Sequence, residues 1–174
     1  MIDLNVALAT FEPRIRRRLP PTMACRFSLL PEPLRCAADP NVLATCLLDL
    51  ATEAAAAMAE GGELVVGARR SPLDDAAAAE YPGSMPGDYG RVTVKDAGPG
   101  LSPERLDQIF YPDKTTRPAV AAAWQAMQRL GGFAAAESAE GVGTAVHLYF
   151  RRMPAGDERR EPAALAEVPA LAAE

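Results

Sequence analysis

The spacing of apolar positions divides the chain into alternating helical and extended segments. Between Leu4 and Leu19 the residues Val6, Ala7, Phe11, Ile15 and Leu19 recur at helical intervals, with Pro13 as a point where the helix can break. Pro20 and Pro21 end it, and Cys25, Phe27 and Leu29 then alternate with polar or small neighbours as a strand does. Asp39 can cap a helix whose first position is Pro40, and the Ala-rich run from Val42 to Met58 predicts the best helix in the chain. Gly61 and Gly62 close it. Leu64, Val66 and Ala68 mark a second strand over 63–69.

The stretch 71–90, punctuated by Pro72, Pro82, Gly83, Pro86 and Gly87, reads as a long connection with a helical turn inside 74–80. Val92 and Val94 place a strand over 91–95, followed by the turn Asp96-Ala97-Gly98-Pro99-Gly100. Ser102-Pro103-Glu104 starts a short helix with Ser102 as cap and with Leu106, Ile109 and Phe110 facing inward. A second long helix covers 118–130, and two strands, 133–138 and 144–151, are joined across Glu140-Gly141-Val142-Gly143. This order predicts an α/β fold, a two-layer sandwich with a mostly antiparallel sheet. Residues 1–152 are read as one domain. The Ala, Pro and Glu of 153–174 cannot repay the entropy of ordering and are expected to form a disordered tail.

Composition narrows the function classes. The chain has 174 residues, enough for one domain with a real core. Its net charge of -5 excludes a basic nucleic-acid surface, and Arg14, Arg16, Arg17 and Arg18 read as a solvated helix face. Cys25, Cys36 and Cys46 have no metal spacing, and their odd number suits a reducing compartment, with Cys46 as a small core residue. No apolar run reaches the roughly 18 residues of a membrane span, so the expected location is cytoplasmic, with no membrane and no nucleic-acid partner.

Four segments carry candidate chemistry. Asp49 and Glu53 are spaced i, i+4, so both carboxylates leave one face of the long helix. Two acids in so apolar a stretch require water, a cation or donors, and a divalent cation with phosphate oxygens is one answer. The edge of a solvent-facing stripe is the other. Asp96, Gly98 and Gly100 put a carboxylate at the mouth of a pocket and let backbone pass close to a ligand, although many tight turns share that pattern. The segments Ile109–Arg117 and Gly141–Thr144 complete the set.

In this order the segments resemble the ATP-binding domain of sensor histidine kinases, within the GHKL superfamily of gyrase-type and chaperone ATPases. Leu47 to Leu64 is similar to the family's N box, Val92 to Leu101 to its first glycine box, Ile109 to Arg117 to its phenylalanine box, and Gly141 to Thr144 to its third glycine box. Asp3-Leu4-Asn5 and Asp39-Pro40 match the usual entry to the domain. The resemblance implies the Bergerat-type fold, with helices on one face of the sheet. It implies ATP and Mg as ligands, with Asp96, Gly98, Gly100, Lys114 and Thr144 around the nucleotide. Glu53 would stand at the magnesium position, and Asp49 at the position where the gyrase-like branch activates water.

The departures govern the functional expectation. Asp49 and Glu53 replace two asparagines, and no glycine lies between Gly100 and Gly131, so the lid and second glycine box are missing. Lys114 and Arg117 are left either to meet phosphates or to remain exposed charges. The one histidine, His147, sits in a strand pattern and reads as structural, and about 40 residues ahead of the N-box helix cannot supply a phosphoacceptor helix pair. The chain is therefore expected to be a pseudokinase, not an autonomous kinase, with weak or lost binding of ATP and Mg. It would serve as a regulatory or docking module in two-component signalling, against a kinase helical domain or a response regulator. The alternatives are an active catalytic domain phosphorylating a partner histidine in trans, and a protein-interaction module with no nucleotide.

Overall fold

The computed structural model describes residues 1–81 and 83–153; the predicted tail beyond 153 lies outside them. A two-stranded piece pairs β1 (Ile2–Asp3) with β3 (Arg35–Cys36). The main sheet has the order β2-β4-β5-β7-β6, with β2 (Met23–Ser28), β4 (Gly62–Leu73), β5 (Gly87–Asp96), β6 (Phe133–Ala139) and β7 (Gly143–Arg151). Only β2 and β4 pair in parallel; the other ladders are antiparallel. Three helices, α1 (Leu4–Arg16), α2 (Pro40–Ala57) and α5 (Pro118–Arg129), cover one face of the sheet with the short α4 (Pro103–Asp107). This is the two-layer α/β sandwich that the pattern predicts.

Alternation decides which side chains form the core. Leu64, Val66, Val92, Val94, Val146 and Leu148 face the helices, where they meet Leu8, Leu43, Leu47, Leu50, Val120 and Met127. All twelve are buried. The helices are placed by local chemistry. Asp39 accepts from the amides of Asn41 at 2.7 Å and Val42 at 3.1 Å, capping α2, while Asp3 does the same for α1 through Asn5 and Val6. The buried Asn5 ties α1 to the chain after β2, donating to the Glu32 carbonyl and accepting from the Leu30 amide. Cys46 is buried in α2 as expected, and burial raises its thiol pKa to about 11. Arg16 pairs with Glu12 along the exposed side of α1 at 2.7 Å, as a solvated face would.

Three expectations are corrected. Pro13 does not break α1, which runs through it to Arg16; near the end of the helix Pro13 removes little hydrogen bonding, and its own carbonyl still accepts from Arg17. The connection 71–90 is shorter than predicted, because β4 and β5 stay paired out to Leu73 and Gly87 despite Pro72. Asp88 explains this: it bonds Arg70 at 2.9 Å and Arg152 at 2.6 Å, holding the extension. What remains of the loop carries α3 (Asp75–Ala79), and Ala78 and Tyr81 cover Leu73, Tyr89, Phe133 and Tyr149 on the opposite face of the sheet. Ser102 starts α4 by position, without a side-chain cap bond to its amides. Among the described residues no helix is long and apolar enough to cross a membrane.

Candidate functional site

Asp96 ends β5 and Thr144 stands opposite it in β7, so the first and third glycine turns meet at one end of the sheet. They touch through backbone: the Gly141 amide donates to the Pro99 carbonyl at 2.7 Å. A Cβ on Gly100, which has φ +70°, would collide with the Ala139 carbonyl, and one on Gly143 would strike the carbonyl of Asp96. These glycines are therefore required by the packing of one turn on the other.

Glu53, one turn below Asp49 on α2, points at the same place as Asp96, and so does Arg117 at the start of α5. The Arg117 Nε donates to Glu53 Oε1 at 2.6 Å, and its terminal nitrogen donates to Asp96 Oδ2 at 2.9 Å. The second Glu53 oxygen accepts from the Ala119 amide at 2.7 Å, so Glu53 does for α5 what an N-cap does. The second Asp96 oxygen accepts from Gly98 N at 3.0 Å and Thr144 N at 3.3 Å. All four carboxylate oxygens are thus engaged within the chain. Asp96 is 3% exposed and Arg117 8%. Burial pulls the Arg117 pKa down, but the bonds to Asp96 and Glu53 outweigh it and hold the group above its ordinary value.

The predicted site residues separate into two sets. Glu53, Asp96, Gly98 and Thr144 converge with Arg117. Asp49 stays exposed and lines a different space, a groove of about 350 Å³ between α2 and α5 that includes Asn41, Thr45 and Arg129. Lys114 lies on the exposed loop before α5, its ammonium 5.7 Å from the centre of the Tyr111 ring. Gly100 serves the contact with Ala139.

Arg117 corrects the expectation that it meets phosphate or stays exposed. A buried acid, Asp96, and a half-buried one, Glu53, need a cation, and the chain supplies its own. The sequence signal for this was Arg117-Pro118, which starts α5 directly after Thr116. Among the described residues, no three or more His, Cys, Asp or Glu side chains are grouped to hold a metal ion.

A mixed sheet with helices on one face, and two glycine turns meeting beside the α2 carboxylates, is the catalytic-domain fold of histidine kinases. Solved structures of that class superpose over most of the chain. The mycobacterial sensor histidine kinase MprB matches with a TM-score of 0.64 at 20% identity, covering 87% of this chain and 97% of that one. The nucleotide-free catalytic domain of the histidine kinase ThkA matches with a TM-score of 0.63 at 22% identity, over 88% of this chain and 97% of that one. Among curated proteins, the sensor kinase CckA of Brucella abortus (strain 2308) is 30% identical over 113 residues. That alignment takes in 61% of this chain and 12% of the relative, so the chain spans a small part of that kinase. No protein-family profile matches the chain.

Proposed function

We propose that this chain is a degenerate histidine-kinase-type catalytic domain acting as a regulatory or docking module in two-component signalling, with weak or lost nucleotide binding. The observation that carries the reading is the Arg117 guanidinium lodged between Asp96 and Glu53. Asp96 is the carboxylate that an adenine amine would have to reach, and Glu53 is the acid that would have to hold magnesium. Both already have partners, so a nucleotide would need to displace a buried ion pair before making any contact of its own. The residues present do not fit ATP and Mg in this arrangement. With nucleotide chemistry set aside, what remains is a rigid domain whose surface can meet a kinase helical domain or a response regulator, with residues 1–152 acting as one unit.

Calorimetric titration with a non-hydrolysable ATP analogue, with and without magnesium, tests this directly. The expected outcome is no saturable heat at millimolar nucleotide. Saturable, magnesium-dependent binding by the unmodified chain would overturn the reading and favour the kinase acting in trans. The same titration on Arg117→Ala separates a plugged site from one that is lost altogether, since freeing Asp96 restores binding only in the first case.

A further inference from the structure

The sheet has a second face, only partly covered by the loop that carries α3. Along β5 the residues pointing that way are Arg91, Thr93 and Lys95, and the register sets Arg69 of β4 opposite Arg91, and His147 of β7 opposite Thr93. Gly67 fills the β4 position opposite Thr93 and contributes no side chain. Two like charges directly opposite on neighbouring strands repel, and an anion between them would relieve that repulsion. Among the described residues, neither Arg69 nor Arg91 has an acidic partner, whereas the adjacent Arg70 pairs with Asp88 at 2.8 Å. The Nε of Arg91 is buried and makes no hydrogen bond.

His147 adds an independent sign of a missing acceptor. It is 5% exposed, its Nδ1 lies 2.9 Å from the Thr93 hydroxyl, and its buried Nε2 has no hydrogen-bond partner. The nearest acid, Glu137, is 3.6 Å from Nε2, beyond hydrogen-bond reach, with a side chain 73% exposed. In the tautomer with its proton on Nε2, the Thr93 hydroxyl donates to Nδ1. In that tautomer the trough has donors from the Arg69 and Arg91 guanidinium groups, the Lys95 ammonium and the imidazole N–H, with the exposed Glu137 carboxylate at its rim. Both arginines also stand close enough to His147 to disfavour its charged form.

We infer that the open face of the sheet holds an oxyanion site in which Arg69, Arg91 and the His147 Nε2–H receive a phosphate monoester group. Two permanent positive charges match a dianion better than a singly charged carboxylate, and paired guanidinium groups present their donors in the geometry that phosphate oxygens accept. The site lies across the sheet from the Arg117 cluster and does not depend on the function proposed above.

His147 is the only histidine in the chain, so its ring protons give one isolated nuclear magnetic resonance signal that reports on the site. The full chain is titrated with inorganic phosphate at constant ionic strength and roughly pH 7.5, where phosphate is mainly a dianion. The expected result is a saturable shift with a millimolar midpoint. Arg91→Gln and Arg69→Gln should each weaken it at least about tenfold, equivalent to about 1.4 kcal/mol, while Arg18→Gln on the far side should leave it unchanged. Circular dichroism of each variant confirms that it is folded. A shift that grows linearly without saturating, or that is equally weakened by Arg18→Gln, overturns the site; acetate binding as tightly as phosphate overturns its assignment to phosphate. With the site established, a phosphoserine peptide binding more tightly than glycerol phosphate assigns the group to a protein partner. Equal affinities assign it to a small molecule.

Discussion

Two arginine clusters occupy opposite faces of the same sheet, and they differ in how their donors are satisfied. On the helix side Arg117 meets Glu53 and Asp96, and the remaining carboxylate oxygens take backbone amides from Ala119, Gly98 and Thr144. On the open side Arg69 and Arg91 face each other with no acidic partner among the described residues, near a histidine nitrogen that makes no hydrogen bond. The first cluster is closed within the chain, and the second is incomplete without an added group. The family's ligand would be expected at the closed one. In this chain the carboxylates on the helix side are satisfied by the chain's own groups, and the open side is the one with donors to offer.

The largest effect should follow from opening the closed cluster. Arg117→Ala leaves the buried Asp96 and the half-buried Glu53 without their cation, and breaking a buried pair from one side typically costs about 3–5 kcal/mol. Equilibrium unfolding in urea should show that loss as a lower midpoint with little change in slope. A loss under about 1 kcal/mol would mean that water reaches Asp96 and Glu53 easily, and the contrast between the two faces would fail.

The open face should reveal itself through pH. Burial, with Arg91 adding to it, lowers the pKa of His147 to about 4, whereas the unfolded chain carries an ordinary imidazole near 6.5. Between those values the unfolded state binds a proton that the native state refuses, so stability should fall as pH drops from about 6.5 to about 4. The expected loss across that window is on the order of 3 kcal/mol, at about 1.4 kcal/mol for each pH unit between the two pKa values. His147→Gln should flatten the stability profile over that window. Asp88 does not confuse the reading, because hydrogen bonding to Arg70 holds its carboxyl below the usual range and its contribution is lost at lower pH.

The long-range layout was legible because it rests on period and punctuation. The α2 helix follows from an apolar run between Asp39-Pro40 and Gly61-Gly62, and the β6–β7 hairpin from alternation on either side of a glycine turn. The resemblance to the four nucleotide boxes brought Glu53, Asp96, Gly98 and Thr144 to one place. What the pattern could not reach were contacts between residues far apart in sequence. Arg117 lies 64 residues from Glu53, and nothing local distinguishes a guanidinium that pairs with buried acids from one that is solvated. Asp88 is 64 residues from Arg152, so the charges that carry β4 past Pro72 were equally hidden. His147 was read correctly as a strand residue, but its unpaired nitrogen depends on the register of β7 against β5.

The smallest predicted effect separates the two faces by sign. Because Arg69 stands directly opposite Arg91 and has no acidic partner among the described residues, Arg69→Gln should remove a repulsion in phosphate-free buffer. Cross-strand pairs of this kind are worth roughly 0.2–1 kcal/mol, and the exposure of Arg69 places the gain at the low end. Denaturation midpoints should therefore rise slightly for this variant, whereas Arg117→Ala lowers them strongly. Phosphate then sharpens the test, since a ligand that binds only the native state stabilises it in proportion to occupancy. Added phosphate should raise the midpoint of the unmodified chain more than that of Arg69→Gln, narrowing or reversing the difference between them. If Arg69→Gln is instead destabilising without phosphate, Arg69 has a partner within the chain, and both arginine clusters are structural.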